Sequence, residues 1–181
     1  MMKEFTNFWK RAFDFKGRAR RREYWISYLW MMSISYILIG FSMLGVFAGI
    51  DMNTGELHGP GFIIGMIGLV ISCIFMLVMF VPMLSLCVRR CHDVGITGWS
   101  YLFCILGCFV CGIGSIAWLV ISFLDSKPET NKWGPNPKDP MHNEYQGGGS
   151  IGLAVGVFVA STILYIILIF AASVIPVLSS M

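Results

Sequence analysis

Charge is scarce in this sequence, and the scarcity is uneven. Asp, Glu, Lys and Arg make up 13% of the 181 residues, about half the share of an ordinary soluble domain, while 56% are hydrophobic. Four windows, Tyr24–Phe47, Phe62–Val88, Trp99–Leu124 and Ile151–Val177, run for 24 to 27 residues each with no Asp, Glu, Lys, Arg or His. These absences exclude a soluble enzyme domain, a disordered chain and a disulfide-stapled secreted module. At about 1.5 Å per residue each window outreaches the roughly 30 Å hydrocarbon core. None shows the alternating polarity of a barrel strand. The expected fold class is an all-α membrane protein, a bundle of four hydrophobic helices preceded by an amphipathic interfacial helix.

The missing intramembrane charge also bears on function. Proton relays, voltage sensors and many ion-coupled carriers need ionisable groups facing a cavity at membrane depth, so an ion-coupled carrier is disfavoured. A passive pore lined by backbone or hydroxyls passes this test. No G-x-S-x-G, H-E-x-x-H or phosphate-binding loop is present. Nucleic-acid binding would need a basic face on a soluble module, which the chain does not offer. The first apolar run starts only after 23 residues and ends without a small-x-small pattern, so it is expected to remain as a span rather than be cleaved as a signal peptide.

Lys and Arg number eight before the first window, none in 48–61, two in 89–98, three in 125–150 and none after the fourth window. The positive-inside rule then predicts a cytoplasmic amino terminus, a cytoplasmic Arg89–Gly98 loop and an external Gly49–Gly61 loop. The third window is ambiguous. Its middle, Leu106–Gly114, is rich in glycine, so it fits either one span or two half-helices in a re-entrant hairpin. Its length favours the span; the three lysines that follow favour the hairpin.

Small residues mark packing surfaces. Gly148, Gly152, Gly156 and Ala160 form one small-xxx-small ladder and Gly45 with Gly49 a shorter one, each allowing close helix approach within the bundle or between subunits. Pro82 and Pro176 are expected to kink or end their helices. Ahead of the first window, Phe5, Phe8, Trp9, Ala12 and Phe13 share one helical face, with Lys3, Asn7, Lys10 and Arg11 elsewhere around it. This predicts an interfacial helix with its rings in the acyl boundary. The six cysteines include Cys87 and Cys91 beside His92, and Cys104, Cys108 and Cys111 on one face of the third window. Most lie at membrane depth, where a thiol acts as a small hydrophobe, so no metal, cofactor or disulfide is expected.

Three polar motifs sit at the ends of the windows: Phe15-Lys16-Gly17-Arg18-Ala19-Arg20-Arg21-Arg22-Glu23-Tyr24-Trp25, Arg89-Arg90-Cys91-His92-Asp93-Val94-Gly95-Ile96-Thr97-Gly98-Trp99, and Asn131-Lys132-Trp133-Gly134-Pro135-Asn136-Pro137. In this order and at these boundaries they resemble the bacterial inner-membrane family catalogued as domain of unknown function 805, which includes the YhaH-like proteins. The resemblance covers about residues 5 to 140, so the chain reads as a basic arm (1–22), a family core (23–140), a glycine-rich linker (141–150) and an additional carboxy-terminal transmembrane helix (151–181). It implies a multi-pass location in the inner membrane and no known activity. Cys91 stands where the family more often has Leu, and the other cysteines fall in no motif.

His92 beside Asp93 is the sharpest chemical pair, since a carboxylate neighbour can make a histidine a general base. Arg18, Arg21, Arg89 and Arg90 would hold a phosphate if they converge, with Asn131 close by. The competing reading is architectural: Asp93 pairs with Arg89 or Arg90, His92 bonds a loop carbonyl, and Gly95 and Gly98 take special dihedrals. Three function classes follow. The favoured one is a structural or interaction component whose Arg18, Arg21, Arg89, Arg90, His92, Asp93 and Asn131 form a cytoplasmic headgroup or partner site. The others are a passive channel or carrier subunit, and a lipid-phosphate-modifying enzyme using His92 and Asp93. The expected partners are membrane lipids, further copies of the chain or other membrane proteins.

Overall fold

The computed structural model describes residues 2–51, 54, 56, 59–109, 112–139 and 150–179. The chain is helical: α1 Met2–Lys10, α2 Arg21–Ala48, α3 Pro60–Val94, α4 Trp99–Cys108, α5 Ile113–Phe123 and α6 Ile151–Ser179. Among the described residues three helices, α2, α3 and α6, are long and apolar enough to cross a membrane. They expose large side chains such as Ile64, Leu77 and Phe170, at 67%, 73% and 69%, a surface that water does not favour and lipid does. The protein is an all-α membrane protein.

The third apolar window is a helical hairpin. Helix α4 has 10 residues and α5 has 11, so neither reaches across a core that needs about 20. Gly112 makes the turn in the left-handed conformation, at φ 72°. The arms lie so close that a Cβ on Gly114 would overlap the Cys104 carbonyl and the Cys108 amide, and one on Gly107 would sit 3.2 Å from the Gly114 Cα. Cys111, expected on the same face as Cys104 and Cys108, lies outside the described residues.

Two compact units divide the chain. One comprises Met1–Tyr28 and Phe80–Ile151, the other Leu29–Met79 and Gly152–Met181. In the second unit, α2 and α3 pack backbone to backbone. A Cβ on Gly45 would stand 2.9 Å from Gly65, and one on Gly49 would overlap Phe62, which is the use the shorter small-residue pair suggested. Tyr36 packs against Phe158 and Tyr165 of α6 at 5.8 and 5.3 Å between ring centres. Ser33, Ser35, Ser42 and Ser72 each donate to the carbonyl four residues earlier, so their hydroxyls are satisfied without leaving the helix.

Of the longer ladder, Gly152, Gly156 and Ala160 are exposed, none of the described residues lies within 4 Å of a Cβ built on Gly156, and Gly148 is outside the described residues. The helix α3 continues through Pro82, and α6 continues past Pro176, so neither proline ends its helix. In the first unit α1 stops at Lys10, short of Ala12 and Phe13. Phe8 and Ala12 are buried in protein, whereas Phe13 is 81% exposed and Trp9 37%, so the apolar stripe is shared between a core and an outer surface. The side chain of Phe5, and residues 141–149 of the linker, lie outside the described residues.

Candidate functional site

The first unit is held at one end by a buried polar clasp into which all three motifs contribute. The second motif is the end of α3, where one turn of helix carries Arg89, Arg90, His92 and Asp93. Successive residues of a helix are about 100° apart, so neighbours in this run face different partners. Arg89, Arg90 and Asp93 are 0% exposed, and Arg18 is 5%.

Asp93 is the centre. Its Oδ1 accepts from Arg18 Nε at 3.0 Å, and its Oδ2 accepts from Arg90 Nη1 and from Ser126 Oγ, each at 2.6 Å. Its carbonyl accepts from the Lys127 amide at 3.1 Å and from Arg18 Nη2 at 3.3 Å. One residue therefore joins the arm before α2, the end of α3 and the segment after α5. Two guanidiniums around one carboxylate leave a local excess of positive charge, which backbone oxygens answer. Arg18 Nη1 donates to the Glu129 carbonyl at 2.8 Å, and Arg90 Nη2 donates to the carbonyls of Ile121 and Leu124. Those last two belong to the carboxy-terminal turn of α5, where unpaired carbonyls and the helix dipole favour a cation.

Arg89 points elsewhere. Its Nη1 donates to Glu23 Oε1 at 3.2 Å, and its carbonyl accepts from the Ala19 amide at 3.1 Å, so it ties α3 to the start of α2. Its Nε and Nη2 are buried with no hydrogen-bond partner among the described residues. Ser85 donates to the carbonyls of Arg11 and Asp14, fixing the arm one turn further back along α3.

His92 and Asp93 do not form a dyad. The His92 ring lies 3.2 Å through Nδ1 from the Gly17 carbonyl and stacks on Trp133 at 4.4 Å and 11° between planes. Asn131 donates from Nδ2 to the His92 carbonyl at 2.9 Å, and its Oδ1 accepts from the Trp133 amide at 3.0 Å. Asn131 thus sets Trp133 over the histidine. Gly95 adopts φ 88° and turns the chain out of α3, as the glycine-bounded loop required. Gly98 does not share that reason: its φ is −59°, and it is required instead because a Cβ there would overlap Val88.

The candidate residues thus divide. Arg18, Arg90 and Asp93 meet, Arg89 goes to Glu23, and His92 and Asn131 meet at Trp133. Arg21 is exposed, 3.9 Å from Asp125. Arg18, Arg89 and Arg90 are buried, and each is bonded to a carboxylate of the protein. At the rim, Lys138 hydrogen-bonds Asp125; that bond, with the Ser126 amide, holds the Asp125 carboxyl below the usual carboxylate range. Glu23 and Ser126 were missed. Glu23 had a signal, being the sole acid in the first motif, whereas Ser126 had none.

Beside the clasp are two cavities of about 620 Å³ each. One is apolar, with Leu84, Val88, Leu102 and Ile105 in its wall, and the other is polar, with Lys127, Glu129, Ser100 and Thr130. Thr97, Lys132 and Trp133 line both.

The chain was compared with known proteins. It is 30% identical over 138 residues to the inner membrane protein YhaI of Escherichia coli (strain K12), covering 76% of this chain and 97% of that one. To the inner membrane protein YhaH of the same strain it is 28% identical over 134 residues, covering 71% and 91%. No solved structure matches it significantly. The model of a family described as "Protein of unknown function (DUF805)" matches residues 12–135, a stretch that includes Arg18, Glu23, Arg89, Arg90, His92, Asp93, Ser126 and Asn131. With the clasp lying inside the matched region, the chain belongs to this family.

Proposed function

We propose that the protein is a structural or interaction component of the bacterial inner membrane. Its clasp fixes one face of the first unit, and the cations left over on that face meet anionic lipid headgroups. The observation that carries this reading is the saturation of Asp93. Both its carboxylate oxygens accept from buried donors while His92 bonds and stacks elsewhere, an arrangement that holds segments together and leaves no base oriented toward a substrate. Lys16, Arg21, Lys127 and Lys132 are exposed, and an exposed cation near an anionic leaflet favours contact by about 1 kcal/mol. Lipid-resolved native mass spectrometry of the wild type is expected to show phosphatidylglycerol or cardiolipin retained over phosphatidylethanolamine. Equal retention, or turnover of a lipid phosphate by purified protein, would overturn the reading.

The amino terminus, the Arg89–Gly98 loop and the segment after α5 are assigned to the cytoplasmic side, as Lys and Arg content and the hairpin's two half-length helices both support. In a thiol-free background, an impermeant maleimide should label Thr54→Cys in intact cells, and Thr97→Cys and Glu129→Cys only after lysis. Labelling of Glu129→Cys in intact cells would mean that the third segment crosses, and labelling of Thr97→Cys would invert the orientation.

A further inference from the structure

The two cavities beside the clasp differ in character and share a wall. That wall is formed by Thr97, by the Trp133 indole and by Lys132, whose ammonium lies 4.4 Å over the indole centre; the His92 ring stacks parallel on Trp133 and lines the apolar cavity alone. On one side the lining is aliphatic and aromatic, continuing to Trp99 and Leu102, which are 70% and 42% exposed. On the other are Lys127, Lys132, Glu129 and the hydroxyls of Thr97, Ser100 and Thr130. Neither Lys127 nor Lys132 forms an ion pair among the described residues, so the polar cavity carries two ammoniums against the one carboxylate of Glu129. The Lys127 side chain passes over Gly95, where a Cβ would stand 2.6 Å from Nζ, which places its charge at the cavity edge.

We propose that this pair of cavities is a binding site for one anionic phospholipid of the surrounding bilayer, with an acyl chain in the apolar cavity and the phosphate and its headgroup on Lys127 and Lys132. Each cavity is of ligand size, and their contrast matches the two ends of an amphiphile. The excess of positive charge selects an anionic headgroup over a zwitterionic one, whose own cation would face Lys127 and Lys132. Trp133 at the neck offers an apolar body to the glycerol region, as an interfacial indole does. Asn131 and His92 hold Trp133, and the His92 ring itself lines the apolar cavity, so the second and third motifs position the site.

This assignment rests on the proposed contact with anionic lipid and locates that contact at one place. It differs from the headgroup site expected at Arg18, Arg89 and Arg90, whose guanidiniums are buried and bonded to Asp93 or Glu23. Purified protein would be titrated with phosphatidylglycerol and, in parallel, phosphatidylcholine, with bound lipid counted by native mass spectrometry. The expected result is a preference for phosphatidylglycerol that falls roughly tenfold in Lys127→Gln with Lys132→Gln, since each lost cation weakens contact several-fold. Leu102→Trp, which fills the apolar cavity from an exposed position, should weaken long-chain phosphatidylglycerol while leaving a short-chain form nearly unaffected. A preference kept by the double lysine variant but lost in Lys16→Gln with Arg21→Gln would leave the proposed function standing and overturn this site. No preference in the wild type would overturn both.

Discussion

Replacing Asp93 with alanine is expected to cost roughly 3–5 kcal/mol, seen as loss of folded protein in detergent or a large fall in its melting temperature. The alanine leaves the guanidiniums of Arg18 and Arg90 buried without their carboxylate and strips a partner from Ser126. A domain is stable by only about 5–15 kcal/mol, so the loss is a large fraction of the total. Asp93→Asn keeps the shape but not both acceptors, because one position now carries an N–H group. Whichever way the amide turns, a donor faces a donor: the Arg18 guanidinium in one orientation, that of Arg90 in the other. The conservative variant should therefore be destabilised as well, by roughly 1–3 kcal/mol. A catalytic Asp93 would behave differently: both variants would fold normally and lose turnover.

The second large effect is expected at the hairpin. Gly114→Ala places a methyl group on the Cys104 carbonyl and against the backbone of Gly107 and Cys108, where no flexible side chain can yield. The arms must separate, at a cost of about 1–3 kcal/mol from overpacking, against a gain of under about 1 kcal/mol from better helix propensity. Gly156→Ala is the control, because open space surrounds that Cβ, and it should be neutral or slightly stabilising. Thermal melts of the two variants beside wild type would separate these cases. An unchanged melting temperature for Gly114→Ala would contradict the close packing of α4 on α5.

Hydropathy made the spans legible, because the four windows had to bury in lipid whatever they packed against. It did not decide the third window, whose length allowed a single crossing. What settles it is the approach of Gly107 to Gly114, a tertiary contact that glycine content signals only as a possibility. The arm shows the same limit: its periodicity marked an apolar stripe, but not that protein covers Phe8 and Ala12 while Phe13 faces outward. Motif spacing brought Arg18, Arg90 and Asp93 under suspicion together. Their partition was hidden, because a 100° step along α3 sends Arg89 to Glu23 and Arg90 to Asp93, and only the placement of α2 reveals which carboxylate waits where. Ser126 and the carbonyls of Ile121, Leu124 and Glu129 carry much of the clasp with no sequence signal, since any residue has a carbonyl and any loop a serine.

The claim on which the rest depends is that charge at Asp93 joins segments distant in sequence, and the coupling energy between Arg18 and Asp93 tests it most directly. Melting would be measured for wild type, Arg18→Gln, Asp93→Asn and the double variant in one detergent at one pH. If Asp93 is the centre of the clasp, the double variant should be markedly more stable than the sum of the two single losses requires, with a coupling of at least about 1 kcal/mol. Losses that simply add, to within about 0.5 kcal/mol, would contradict the account.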